Sequence, residues 1–254
     1  MKITYFSDLH LEFADWTPPH IDADVVILAG DINLGAKGVA WAKKHFTQPV
    51  IYIPGNHEYY TKVNINMDDI NQQIRKEAKN SNVIILLNDS VNINGINFIG
   101  TTLWTDYNLN NNQRDDMFSA KLMLNDHSMI KVSDENSKNI KLTPSHCLEL
   151  HNRSIQFISN SIREDLLNIV ISHHGVHEKC SHPHLHGNDL SAAFNSDLIS
   201  FIESHSTNLT TWIYGHTHHN FDFQIAGVDI LTNQRGYAPY ELVDGFKDNK
   251  TFNV

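Results

Sequence analysis

The stretch VIYIPGNHEYY, residues 50–60, joins a predicted strand to a cluster of polar side chains directly after it. Val50–Ile53 are all β-branched or aromatic, which is typical of a strand buried on both faces. The four residues Gly55–Glu58 (GNHE) then follow at the carboxyl end of that strand. In open α/β sheets, the loops at the carboxyl ends of strands converge on one crevice. The stretch therefore predicts a layered protein with functional side chains at one edge of a sheet.

Short β-branched or aromatic runs alternate with longer helical patterns along the rest of the chain, which favours an α/β or α+β domain. Besides Val50–Ile53, the predicted strands are Ile3–Ser7, Val25–Ala29, Asn168–Ser172 and Thr210–Tyr214. The predicted hairpins turn at Asn94-Gly95 and at Gly227. The predicted helices are Gly35–Phe46, Met67–Asn80 and one that begins at Thr143-Pro144.

The pattern favours a single domain over residues 1–254, although 254 residues could also form two small domains. Two stretches interrupt the alternation of strand and helix patterns. Asn108–Gln113 is rich in asparagine, and Asn125–Lys141 is polar with little periodicity. Because helical pattern resumes directly after them, we expect loops there, or a cap inserted into the domain around residues 105–141.

The charge balance restricts the choice of partners. The chain has 19 Lys and Arg residues against 29 Asp and Glu residues, a net charge of −10. Such a body repels a phosphate backbone, so long nucleic acids are unfavourable partners. There is no signal-peptide pattern and no apolar stretch of bilayer length, and the 2 cysteines are expected to be reduced thiols. We therefore expect a cytoplasmic protein without a membrane partner, and the oligomeric state stays open.

Five short polar motifs each follow a predicted strand. They are Asp8-Leu9-His10, Gly30-Asp31, Gly55–Glu58, His173-His174 and Gly215–His218. Their oxygen and imidazole donors, with no thiolate among them, are Asp8, His10, Asp31, Asn56, His173, His216 and His218. Such a mixed set suits Mn, Fe or Zn in an open, hydrolytic site. Seven ligands are too many for one ion, but they suit two divalent transition-metal ions when one carboxylate bridges them, and Asp31 is the natural bridge.

A two-metal site of this kind would be net positive. Two divalent ions outweigh the charges of Asp8, Asp31 and a bridging hydroxide, because the other ligands are neutral. The site could then hold a phosphate anion inside an acidic protein. The ions would also lower the pKa of a shared water, so that hydroxide is available to attack phosphorus at neutral pH.

In this order, the five motifs resemble the pattern DxH, GD, GNH(D/E), H and GHxH of the calcineurin-like metallophosphoesterase superfamily. The match covers positions 8 to 218. The resemblance implies a four-layer αββα sandwich of two mixed β-sheets flanked by helices. It assigns the first metal to Asp8, His10, Asp31 and His218. It assigns the second metal to Asp31, Asn56, His173 and His216. It also implies that His57 faces the leaving group of the substrate, with Glu58 behind it as an orienting carboxylate.

Further stretches resemble a bacterial and phage-type branch of phosphohydrolases whose substrates are undefined. They are Asp8–Glu12 (DLHLE), Gly55–Tyr60 (GNHEYY), Thr101–Trp104 (TTLW) and Asn233–Tyr237 (NQRGY). The predicted activity is hydrolysis of a phosphomonoester or a small phosphodiester by a metal-bridging hydroxide. A nuclease and a cyclic-nucleotide phosphodiesterase are the alternatives. A scaffold without metals is a remote one, since no ligand position is missing.

Three assignments stay open. His173 is nearer the strand than His174, so we expect His173 to be the ligand and His174 to line the substrate pocket with Asn56. Arg235 either clamps a phosphate oxygen or pairs with a surface acid. The histidine-rich tract His173–Gly187 is either a loop at the mouth of the pocket or a third metal site.

Overall fold

Residues 1–254 form thirteen β-strands and seven α-helices in the computed structural model. In chain order, the strands are β1 Lys2–Phe6, β2 Val25–Ala29, β3 Val50–Ile53, β4 Val83–Ile85, β5 Asp89–Ile93, β6 Ile96–Thr101, β7 Lys131–Ser133, β8 Asn139–Lys141, β9 Leu167–Ser172, β10 Leu209–Tyr214, β11 Phe223–Ile225, β12 Val228–Thr232 and β13 Thr251–Asn253. The helices are α1 Lys37–His45, α2 Met67–Ala78, α3 Gln113–Met123, α4 Asp126–Met129, α5 Pro144–Ser161, α6 Ser191–Phe194 and α7 Ile199–His205. None of these helices combines the length and the apolar character needed to cross a lipid bilayer.

Two mixed sheets contain all the strands except β7 and β8, which pair in a separate hairpin. The first sheet has the order β13-β1-β2-β3-β4, in which β1 to β4 are parallel and β13 is antiparallel to β1. The second has the order β11-β12-β10-β9-β6-β5, with four parallel strands between two antiparallel edge strands. Two mixed sheets flanked by helices confirm the predicted fold class.

Both faces of strand β2 are buried, because each face packs against a different layer. Val25 and Ile27 belong to the apolar cluster between the two sheets, which also contains Phe98 of the second sheet. The alternate residues Val26 and Leu28 belong to the cluster shared with α1 and α2. A third cluster lies between the outer face of the second sheet and helices α5 and α7. The continuous β-branched runs of the sequence therefore reflect a sheet covered on both sides.

Local sequence chemistry sets several of the predicted boundaries. The turn at Asn94-Gly95 joins β5 to β6, and the two residues have φ angles of 51° and 85°. These angles are typical of a two-residue hairpin turn in which both central residues are left-handed. At the start of α5, the Thr143 side chain caps the helix by accepting the N–H of His146. The turn and the helix start lie where the sequence predicts them.

Residues 105–141 contain regular structure where the sequence predicts loops or an inserted cap. Helices α3 and α4 and the β7–β8 hairpin lie there. The missed helix α3 has an inverted pattern, in which Asp116 and Ala120 are buried while Phe118 and Leu122 are exposed. Such a helix has no apolar stripe towards the core, so hydrophobic periodicity cannot reveal it. The sequence does not predict strand β13 or helices α6 and α7, because each element is too short to show a hydrophobic period.

Gly100 of β6 faces the first sheet without a side chain. An added Cβ atom would collide with Leu86 Cβ and would lie 2.8 Å from Ile53 Cγ2. We expect Gly100→Ala to lower the free energy of unfolding by about 1–3 kcal/mol, because the packed sheets must shift locally. Urea unfolding measures the change. Ser90→Ala, at an exposed position of the adjacent strand β5, is the control and should stay within about 0.5 kcal/mol. Equal stability of the two variants would contradict the close contact.

Candidate metal centre

Polar loops at the carboxyl ends of five strands meet at one edge of the two sheets. Asp8, Asp31 and Asn56 follow β1, β2 and β3 of the first sheet, and all three are buried. His173 and His216 follow β9 and β10 of the second sheet. Because the two sheets are stacked, the loops of both contribute to one cluster of polar side chains.

The candidate ligands lie in two groups, each with ligand atoms within 4.8 Å of one another. The first group consists of Asp8, His10 and His218. The second group consists of Asp31, His173 and His216. Asn56 lies beside the second group, with its Oδ1 3.1 Å from His173 Nε2. All seven candidate ligands of the sequence are thus brought together at this edge.

The carboxylate of Asp31 faces both groups. Its Oδ1 lies 3.4 Å from His173 Nε2 in the second group, and its Oδ2 lies 3.8 Å from His10 Nε2 in the first. Burial alone would raise the pKa of this carboxyl group, but the imidazoles of His173 and His57 hold it well below its usual range. Asp31 is therefore ionised, with one oxygen towards each group.

Acceptors behind the ligands orient three of the four imidazoles. Nδ1 of His10 lies 3.1 Å from Glu12 Oε1, and Nδ1 of His218 lies 2.6 Å from Glu241 Oε2. Nδ1 of His173 lies 3.0 Å from a backbone carbonyl oxygen of β2. A neutral imidazole that donates from Nδ1 carries its lone pair on Nε2, which in each case points into the cluster. The three side chains therefore present Nε2 as the metal-binding atom.

The arrangement fits divalent cations better than a hydrogen-bonded network without metal. The Nε2 atoms of His10 and His218 lie 3.1 Å apart. At this distance their two lone pairs would repel each other unless a proton or a cation lay between them. Nε2 of His216 is buried and has no hydrogen-bond partner, which costs about 1–3 kcal/mol if nothing binds it. A Cβ atom added at Gly55 would collide with Asp31 Oδ1, so glycine leaves the space that this ligand needs.

Five of the seven candidate ligands adopt left-handed backbone conformations, which residues other than glycine rarely take. Their φ angles lie between 45° and 70°, and the residues are Asp8, His10, Asp31, His216 and His218. Each such conformation costs on the order of 1 kcal/mol and persists only where the surroundings enforce it. This concentration of strain at one sheet edge supports its identification as a functional site.

His57 lies beside both groups but is not one of the seven candidate ligands. Its Nδ1 lies 2.9 Å from Glu12 Oε1, and its Nε2 lies 3.3 Å from the Tyr237 hydroxyl and 4.0 Å from Asp31 Oδ2. Burial lowers the pKa of His57, but the carboxylates of Asp31 and Glu12 outweigh it and raise the pKa to about 9. In the metal-free protein, His57 is therefore protonated at neutral pH.

Glu58 has a different role from the predicted one. It forms no hydrogen bond with the His57 ring, which Glu12 holds instead. The buried carboxylate accepts four hydrogen bonds, from the N–H groups of Asp31, Ile32 and Gly55 and from the hydroxyl of Tyr52. The prediction that Glu58 orients His57 is therefore wrong, because its carboxylate is fully used in joining the loops after β2 and β3.

Neither His174 nor Arg235 is placed to bind substrate in the predicted way. His174 is only 1% exposed, and its ring packs against His216 with 4.3 Å between the centroids. Burial lowers its pKa to about 3, so it is neutral. Arg235 donates to the backbone carbonyl oxygens of Leu9, Ala14 and Asp15. It fixes the loop after β1 and forms no ion pair with a surface acid.

The histidine-rich tract contains two single-turn 3-10 helices, Glu178–Cys180 and Pro183–Leu185. Cys180 is buried in the apolar cluster of the second sheet, whereas His182 and His184 are exposed. Beyond His173, no residue of the tract belongs to a group of three potential metal ligands. The structure therefore supports the loop, and no third metal site lies in this tract.

Sequence reasoning missed three acidic residues of the site. Glu12 belongs to the DLHLE motif, and its position two residues after His10 is a signal that could have identified it. Asp126 accepts a hydrogen bond from Asn56 Nδ2, and Glu241 supports one of the candidate ligands. Both residues lie outside the five polar motifs, and no local pattern marks them as parts of the site.

Comparisons with known proteins agree with this geometry. The family model described as calcineurin-like phosphoesterase matches residues 1–220, which include all five motifs. An uncharacterized protein of Acanthamoeba polyphaga mimivirus is 29% identical over 282 residues, with 95% of this chain and 96% of that protein covered. The family predicted from the motifs is confirmed, and the bacterial and phage-type branch stays a prediction.

Two solved structures share the fold at low sequence identity. Phosphopantetheinyl hydrolase (PptH) from Mycobacterium tuberculosis has 17% identity and a TM-score of 0.72, with 93% of this chain and 89% of that chain covered. A dimetal phosphatase from Danio rerio has 15% identity and a TM-score of 0.54, with 93% and 87% covered. These similarities support the two-sheet architecture.

We expect the metal-free protein to lose stability as the pH rises from about 6.5 to 9. Burial lowers the pKa values of His57 and His173, but Asp31 outweighs it, and the values are raised to about 9 and about 10. The folded protein therefore retains protons that the unfolded chain releases, and this stabilisation is fully present only below the unfolded pKa. Histidines with lowered pKa values, such as His174, have already titrated below this interval.

Urea unfolding at a series of pH values measures this trend. Glu12→Gln, which removes a carboxylate beside His57, should make the decrease smaller. In saturating Mn²⁺, the free energy of unfolding should instead rise with pH over this interval, because metal binding requires unprotonated imidazoles. A metal-free protein that becomes more stable across the same interval would show that these histidines do not retain their protons.

Proposed function

Because the chain belongs to the calcineurin-like phosphoesterase family and is a phosphoric ester hydrolase, we propose that it cleaves small phosphoesters with two divalent metal ions at this sheet edge. The observation that carries the proposal is the Asp31 carboxylate. One of its oxygens lies towards His173 and the other towards His10, so a single ionised side chain can serve both groups.

The two ions are assigned to the two groups of ligands. The first would be held by Asp8, His10, Asp31 and His218. The second would be held by Asp31, Asn56, His173 and His216. Oxygen and imidazole donors without thiolate favour Mn, Fe or Zn. When bound, two such ions lower the pKa of a water molecule and neutralise charge on the phosphoryl oxygens.

His57 is proposed to donate a proton to the leaving oxygen of the substrate. Glu12 holds Nδ1, so that Nε2 is the atom available to the substrate. The ring also stacks on Tyr60 with 4.3 Å between the centroids, which fixes its plane. A positioned imidazolium of this kind is an effective general acid. Tyr237, 3.3 Å from Nε2, lies where it can contact the same leaving group.

The electrostatics favour a small substrate over a long nucleic acid. The chain has a net charge of −10, and the carboxylates of Glu12, Asp126 and Glu241 lie around the candidate ligands. Positive charge near the candidate ligands would therefore come from the ions and from the His57 imidazolium. A phosphomonoester or small phosphodiester places its charge only there, whereas a long backbone would also meet the acidic surroundings.

We expect the purified protein to bind about two equivalents of transition metal, and Asp31→Asn to lose more metal than Asp8→Asn. The reason is that Asp31 faces both groups, whereas Asp8 belongs to one. Elemental analysis after equilibration with Mn²⁺ or Zn²⁺ measures the content. A single tightly held equivalent that is indifferent to Asp31→Asn would exclude the shared carboxylate.

A substrate panel tests the function itself. Phosphomonoesters, phosphodiesters and cyclic nucleotides are assayed with Mn²⁺, Zn²⁺ and Mg²⁺ after the protein has been stripped of metal. Hydrolysis of a small ester that is lost on chelation and in Asp31→Asn supports the proposal. A fully metal-loaded protein that cleaves none of these compounds would contradict it.

We expect His57→Ala to retain both metals and to lose about 10²–10⁴-fold in kcat for alkyl phosphates, because their leaving group needs a proton. p-Nitrophenyl esters should lose less, since p-nitrophenolate departs without one. Steady-state kinetics on both classes, with metal content measured in parallel, provide the comparison. Equal losses would mean that His57 stabilises charge on the phosphoryl group, and loss of metal would mean that it supports the ligands.

A further inference from the structure

Asp126 is a buried carboxylate that belongs to no ion pair with a lysine or arginine. It is the first residue of α4, in the segment 105–141, and is 5% exposed. Its Oδ1 accepts two hydrogen bonds, from Asn56 Nδ2 at 2.8 Å and from the Tyr60 hydroxyl at 2.5 Å. A buried carboxylate without a basic partner is costly unless positive charge lies close by.

The contact with Asp126 decides which way the amide of Asn56 faces. A carboxylate can only accept hydrogen bonds, so the NH₂ group of Asn56 must be the end that lies against it. The carbonyl oxygen, Oδ1, is then left 3.1 Å from His173 Nε2, on the side of the second group. In the opposite orientation, the amide would present its NH₂ donors to a cation and could not bind it.

Tyr60 connects this contact to His57. Its hydroxyl donates to the same oxygen of Asp126, and its ring stacks on the His57 ring. Burial and the neighbouring carboxylate of Asp126 raise the pKa of Tyr60 well above its usual value, so the hydroxyl keeps its proton and remains a donor. One carboxylate from the segment 105–141 thus supports side chains on both sides of the centre.

We infer that Asp126 is a positioning residue that holds the Asn56 amide with its oxygen towards the second metal ion. The inference rests on the proposed function, because it takes Asn56 as a metal ligand. It also gives the segment 105–141 a specific part in the site: the segment supplies the acceptor that makes a neutral amide a usable ligand.

Mn²⁺ binding to the full-length protein tests the inference through a double-mutant cycle. Equilibrium dialysis and calorimetry are applied to the wild type, Asp126→Ala, Asn56→Ala and the double variant. Asp126→Ala should weaken one of the two Mn²⁺ equivalents by about 10–100-fold. In the Asn56→Ala background, the same change should have little further effect, because Asp126 acts through Asn56.

Two outcomes overturn the inference. One is an Asp126→Ala protein that binds both equivalents as the wild type does. The other is an equal weakening with and without Asn56, which would mean that the charge of Asp126 acts on the ions directly. A wild type that binds no second equivalent would instead refute the proposed two-metal function, so the two failures are distinguishable.

Two further variants guard against a purely structural effect. Asp116→Ala removes another buried carboxyl group of the segment, one that has no hydrogen bond to a candidate ligand, and should leave Mn²⁺ binding unchanged. Asp126→Asn keeps the shape and one neutral acceptor oxygen, so its affinity should fall between those of the wild type and Asp126→Ala. If Asp126→Ala does not fold, Asp126→Asn replaces it in the cycle, and affinity equal to that of the wild type would then overturn the inference.

Discussion

The hydrogen bonds to the buried Glu58 carboxyl group are the contacts on which the arrangement of the site depends. They join the loop after β2, which carries Asp31, to the loop after β3, which carries Asn56. Burial and the charge of Asp31 raise the pKa of Glu58 to about 7, and its four donors offset the cost of placing a carboxylate there. The spacing between Asp31 and Asn56 is therefore set by a residue that belongs to neither group of candidate ligands.

The two sheets supply the stiffness that the strained ligands require. Left-handed backbone at Asp8, His10 and Asp31 would relax in a mobile loop. Here each of these residues lies within four positions of the end of a parallel strand whose faces are covered. Backbone hydrogen bonds from Asp8 to the Gly30 carbonyl and from His10 to the Asp31 carbonyl also tie the loops to each other. Burial of the apolar layers thus stabilises left-handed backbone conformations that these residues would not adopt in a short peptide.

The sequence could predict what depends on local pattern. Strands such as β2 and the polar residues directly after them are adjacent in the chain, so their placement follows from the hydrophobic run and its end. Glu58 was misassigned because neighbours in sequence need not be neighbours in space, and the carboxylate that holds His57 comes from Glu12. Asp126 and Glu241 reach the site only through the tertiary fold, and α3 has the reverse of the usual burial pattern. Information of this kind lies in long-range contacts that no single stretch encodes.

Arg235 fixes the loop after β1 by donating to the backbone carbonyl oxygen of Leu9, which lies 226 residues earlier in the chain. During ribosomal synthesis, the loop that carries Asp8 and His10 emerges long before its partner, and it spends most of translation without this support. The first ligand group is also incomplete until His218 has been made. Contacts of such long sequence separation form late and slow folding. The two ends of this ligand group therefore come together only after more than four-fifths of the 254 residues have been synthesised.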